Sequence, residues 1–179
     1  MLTIYSVVEA LSGISIALGV GSSTYAILFY FMAMRNPALR DSGKPYQKIV
    51  YIVLRVAMVL ILLTELAKIG FYMYLGAGFA DLLASGALVL VWTIVAVLFV
   101  NAILMTLHKM PMMFGPAIQA TSWYTLGIVT ALPVVTFSYV SLMLVYVAAI
   151  LLVAVAIRMI GQKLSAPAVE AVVTPSVQK

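Results

Sequence analysis

The feature that most constrains this chain is a succession of apolar runs, each about 20 residues or longer, the length a helix needs to cross the hydrocarbon core of a bilayer. Five segments qualify, at roughly 4–34, 49–75, 83–107, 116–137 and 138–160. Polar or helix-breaking residues punctuate the first three, at Arg35-Asn36-Pro37, Gly76-Ala77-Gly78 and His108-Lys109-Met110-Pro111. Only Pro133 and Ser138 divide the last two runs, but read as one helix they would be far longer than a bilayer is thick. The expected fold is all-α: one polytopic transmembrane bundle of five helices over 1–163. A flexible cytoplasmic tail is expected over 164–179, where Pro167 and Pro175 interrupt any helical stripe.

Composition agrees. The chain is 65% hydrophobic and 8% charged, whereas soluble domains carry roughly 45–50% apolar and about 25% charged residues. A water-soluble globular fold is excluded, and so is disorder, since too few charges are present to keep the apolar surface solvated. The net charge of +5 is no sign of a nucleic-acid partner, because the cations sit at the ends of spans. Arg35, Arg40, Lys44 and Lys48 lie in the 33–48 loop, Lys109 in the 107–116 loop, and Arg158, Lys163 and Lys179 towards the C-terminus, while the alternate loops at 76–82 and 136–140 have no Lys or Arg. Basic loops stay cytoplasmic, which predicts an N-terminus outside and a C-terminus inside. Tyr5, Tyr72, Tyr74 and Tyr139 then fall at the outer interface, and Tyr46 and Tyr51 at the inner one. Met1–Ser6 lacks both a basic region and a small-residue cleavage site, so no removable signal is expected. The compact N-out plan without targeting signals predicts the plasma membrane of a prokaryote.

The absence of cysteine excludes disulfides, thiolate metal sites and cysteine nucleophiles. The single histidine, His108, excludes a multi-histidine zinc site within one subunit. No phosphate-binding glycine loop, catalytic triad or metalloprotease motif occurs, so a non-enzymatic role is expected.

The first span carries small residues at spacing four in two stripes, Gly13, Ala17, Gly21 and Ser15, Gly19, Ser23. Small residues let helices in lipid approach closely, so both stripes are candidate packing faces. Ionisable residues at membrane depth are the anomalies, each costing about 2.5–3.5 kcal/mol on insertion scales. Glu9, Glu65 and Lys68 all belong to the outer half. Glu65 and Lys68 are three apart and share a helix face. Lys68 is expected to bridge Glu65 and Glu9, either as a structural tie or as part of a proton or cation path. Arg55 and Asn101 lie at similar inner depths, where they either hydrogen-bond or, with Arg55 snorkelling to the headgroups, stay apart. Trp92, Trp123 and Tyr124 are expected to fill space.

The segment from Met105 to Pro116 gathers His108 with Met105, Met110, Met112 and Met113. Thioether and imidazole ligands suit copper(I), and His with Met also holds haem iron. The alternative is a short apolar loop shaped by Pro111 and Pro116, with no cofactor.

Two stretches carry a resemblance. One is Leu18-Gly-Val-Gly21-Ser-Ser-Thr24, followed by Phe29-Tyr30-Phe31 and a basic loop; the other runs from Val100-Asn101 to His108, then Pro111 and Ala120-Thr-Ser122-Trp123-Tyr124. Together they resemble small bacterial integral membrane proteins, distantly similar to copper-resistance-D-like and cytochrome-b561-like bundles. In such bundles histidines from several helices carry haem or copper. Here His108 is the one match, so the resemblance implies haem only with a methionine ligand or with a second subunit's histidine.

The function expected first is movement of a small cation or proton through the Glu9, Glu65 and Lys68 group. The alternatives are a non-catalytic structural subunit and a haem- or copper-binding redox subunit. The expected partners are the lipid bilayer and either further copies of the chain or a larger membrane complex.

Overall fold

The computed structural model describes residues 2–36, 43–107, 109–110, 114–132 and 138–173. Its helices are α1 (Leu2–Arg35), α2 (Lys44–Tyr74), α3 (Phe79–Ala84), α4 (Gly86–Thr106), α5 (Phe114–Ala131) and α6 (Tyr139–Val173). Four of them contain stretches long and apolar enough to cross a membrane: Thr3–Arg35, Lys44–Tyr74, Gly86–Thr106 and Tyr139–Leu164.

Local chemistry sets the helix ends. Pro45 sits in the first turn of α2, where no backbone donor is needed. At the other end Gly76 takes φ +90°, and Leu75, Gly76 and Ala77 donate their N–H groups back to Phe71, Met73 and Tyr72. A positive φ is routine only for glycine, so α2 stops there. The short α3 is held by Gly78 N–H donating to Asp81 Oδ2 at 3.1 Å, and the Ser85 hydroxyl caps α4 by accepting from Leu88 N–H. Pro116 lies inside the first turn of α5, which therefore starts two residues earlier than the sequence suggests. The sixth helix passes the expected limit at 160 and continues to Val173, taking in the first part of the tail.

α5 is the hub, packing on α1, α4 and α6, while α2 lies mainly along α1. Trp123 and Leu126 of α5 are fully buried in one core with Ala57, Ile61, Ile94 and Leu98. Eighteen residues of α5 span about 27 Å. This helix is less apolar than the other four because Gln119, Thr121 and Ser122 lie on it, and all three are buried. Its neighbours shield it, so its polarity faces protein.

The outer surface differs from that of a soluble protein, and several polar residues join the apolar core. Ser12, Ser15, Ser23, Thr64, Glu65, Asn101, Gln119, Thr121 and Ser122 are buried, whereas Leu144, Val145, Leu151, Leu152 and Val155 of α6 are among many large apolar residues facing outwards. That layout suits a bundle surrounded by lipid, with polar side chains turned to neighbouring helices and to backbone carbonyls.

Candidate functional site

α1 and α2 run antiparallel and are laced by polar contacts along one seam. At the end away from the basic α1–α2 connection, Tyr5 and Tyr72 share a hydroxyl–hydroxyl hydrogen bond of 3.0 Å, and the Tyr5 ring lies 5.1 Å from that of Phe71. Two turns further along α1, Lys68 Nζ sits 2.6 Å from Glu65 Oε1 and donates to Ser12 Oγ at 3.0 Å. Ser12 Oγ in turn donates to the same Glu65 oxygen at 3.2 Å. The Glu65 side chain is only 5% exposed. One carboxylate, one ammonium and one hydroxyl thus form a closed triangle between two helices, its shortest side the charge-assisted contact of Lys68 with Glu65. Next, Ser15 Oγ donates to the Ala57 carbonyl at 2.7 Å, where α2 already has an intrahelical bond.

Two sequence expectations are corrected here. Glu9 does not join the Glu65–Lys68 pair: it is exposed on α1, and Ser12 occupies the bridging position. Residues 9 and 12 differ by about 60° around a helix and by nearly one turn along it, which takes Glu9 off the seam. Gly13, Ala17 and Gly21 are also exposed, and a Cβ added at Gly13 or Gly21 would meet nothing within 4 Å. Stripes offset by two residues lie about 200° apart on a helix, so only one of the two could face the bundle. The other one does: Ser15, Gly19 and Ser23 are buried. At Gly19 the indole of Trp123 packs so closely that a Cβ would overlap the ring.

Beyond Gly19 a second polar group opens. Ser23, Tyr51, Arg55, Met58, Met105 and Gln119 contribute to a cavity of about 300 Å³ among α1, α2, α4 and α5. Behind it Asn101 Nδ2 donates to the Gly115 carbonyl and to Gln119 Oε1, both at 3.1 Å, and lies 3.7 Å from Met105 Sδ. Gln119 Nε2 has a weaker sulfur acceptor, Met58 Sδ at 3.9 Å. Asn101 is thus committed to α5, and the structure does not join it to Arg55, whose side chain is exposed. Asn101→Leu removes the donor of Gln119 Oε1. A drop of about 1–3 kcal/mol in stability, read as a lower melting temperature in detergent, is the expected result. Adding Gln119→Leu should cost little more, because the orphaned amide goes with it.

The His–Met group is only partly visible. Met105 faces the cavity and packs on Gly115, where a Cβ would lie 2.9 Å from its sulfur; Met110 is half-buried. His108, Met112 and Met113 lie outside the described residues. Of the aromatic residues expected to fill space, Trp123 is fully buried, while Tyr124 bonds Thr24 through its hydroxyl at 2.7 Å.

Ser12, Gln119 and Met58 were missed by sequence reasoning. Ser12 had a signal, since it stands in phase with Ser15, Gly19 and Ser23 at helical spacing. Gln119 had one as well, as an amide within an expected span, the partner a buried asparagine needs. Met58 had none. Comparison with models of known protein families, with curated proteins and with solved structures found no match, so the residues themselves carry what can be said of function.

Proposed function

We propose that this chain is a five-span membrane protein, N-terminus outside and C-terminus cytoplasmic, in a prokaryotic plasma membrane, and that it passes protons along the seam of α1. Counting α5 as a span rests on its course alongside α1 and its burial by the other helices. The orientation rests on the basic end formed by Arg35 and Lys44.

One observation carries the functional reading. The Glu65–Lys68–Ser12 triangle and the cavity-lining Ser23 lie on the same face of α1, with Ser15 and the packed core of Ile16, Ala57, Ile61 and Trp123 between them. That is an outer ionisable site and an inner cavity with polar groups in its wall, in register along α1 and divided by an apolar plug. A proton suits this arrangement better than a metal ion. Lys68 already holds the position beside Glu65 that another cation would need. A carboxylate, an amine and a hydroxyl in contact exchange protons without a wide aqueous path.

A second reading has an observation in its favour. The two charges compensate each other and both groups bond Ser12 of α1, as in a tie that only fastens α2 to α1. Glu65→Gln separates the two readings, because it keeps the shape and removes the titratable proton. In liposomes holding a pH gradient, the native protein should dissipate the gradient and the variant should behave like protein-free vesicles. Equal dissipation by both would leave only the tie.

A further inference from the structure

We infer that the cavity beside Arg55 binds an anionic phospholipid from the leaflet at the basic end of the bundle, its phosphate on Arg55 and an acyl chain in the adjoining groove. This inference does not depend on proton movement.

The cavity does not stand alone. A groove of about 400 Å³ runs beside it between α2 and α4, lined by Val59, Phe99, Ile103 and Leu107 among others. Cavity and groove share Arg55, Met58, Ala102 and Thr106 in their walls, so one molecule can occupy both. Volumes of this order are those of ligand sites, roughly 300–1,000 Å³. The polar groups gather on the cavity side, at Tyr51, Ser23 and Gln119. The groove side, away from Arg55 and Thr106, is apolar. A molecule filling both must have a polar head and an apolar chain.

The charge at the junction decides the head. Arg55 stands on an exposed face of α2 with Tyr51 one turn and Lys48 two turns towards the basic end, and with the apolar Ile52, Val56 and Val59 beside it. Among the described residues no carboxylate pairs with it. A guanidinium at membrane depth is costly unless it finds an anion, and its planar fork matches a phosphate in two-point contact. Gln119 adds a neutral donor to the cavity wall. It is 6% exposed, and among the described residues its amide nitrogen has only the Met58 sulfur, 3.9 Å away. Lys44, Lys48 and Lys109 lie at the same end of the bundle and would concentrate acidic lipid there without defining a site.

Native mass spectrometry of the full chain, released from detergent after titration with phosphatidylglycerol, tests this. The native chain should retain one phosphatidylglycerol in preference to phosphatidylcholine. Arg55→Gln should weaken retention roughly tenfold, the loss of one charge-assisted contact. Ala102→Phe, which leaves the cation in place and fills the shared wall, should do the same. Lys48→Gln should leave retention unchanged, and millimolar inorganic phosphate should not displace the lipid. The site is refuted if Arg55→Gln and Ala102→Phe both retain the lipid like the native chain, or if Lys48→Gln weakens it equally. Displacement by inorganic phosphate would refute the lipid as occupant and leave a site for a free anion.

Discussion

Lys68→Met should cost about 3–5 kcal/mol of stability, enough to deplete folded protein from the membrane, because it leaves the Glu65 carboxylate buried without its counter-ion. Ser12 would remain as its one donor, a neutral hydroxyl in place of an ammonium 2.6 Å away. The measurement is the melting temperature and yield of the purified variant beside the native chain. The companion variant makes the reasoning specific. Replacing both members, Glu65→Leu with Lys68→Met, removes the buried charge altogether and should recover most of the loss, since apolar replacements for buried ion pairs are often neutral or stabilising. If the single and double variants were equally unstable, helix packing rather than charge pairing would be what the site supplies.

Gly19→Ala should destabilise the bundle by about 1–3 kcal/mol or more, against the usual trend. In a helix interior this change ordinarily gains roughly 0.5–1 kcal/mol, because alanine loses less backbone freedom. Here the added Cβ would overlap the indole of Trp123, which is fully buried and held among core neighbours that cannot retreat. The reversed sign is the diagnostic. In a Trp123→Leu background the clash is gone, so the same Gly19→Ala step should become neutral or favourable, a non-additivity that a double-mutant cycle measures directly. A constant cost in both backgrounds would place the cause elsewhere than at this contact.

Much of the fold was legible because a bilayer imposes strong rules on sequence. Length and apolarity located α1, α2, α4 and α6, and glycine at 76 marked the end of α2. The centre of the bundle was less legible. Gln119, Ser122 and Trp123 lower the apolarity of α5, so the residues that make it the hub are the ones that weaken its signature as a span. At the site, the Glu65–Lys68 contact followed from a three-residue spacing on one helix, which geometry fixes. The third partner lay on another helix, where the rotation of α1 decides between Glu9 and Ser12. A one-dimensional depth estimate carries no information about rotation, and it favoured the charged residue. The same ambiguity covered the two small-residue stripes, which depth and composition cannot tell apart. Asn101 and Arg55 were matched by depth alone for the same reason; the amide went instead to Gly115 and Gln119 across the α4–α5 contact.

The central claim is that the triangle of Glu65, Lys68 and Ser12 passes protons besides fastening α1 to α2. It is tested most directly by reconstituting the Glu65→Leu, Lys68→Met double variant, checked to melt like the native chain, in liposomes with an internal pH indicator. The native protein is expected to collapse an imposed pH gradient, while the folded double variant holds it as protein-free vesicles do. A double variant that is folded and collapses the gradient at the native rate would contradict the account.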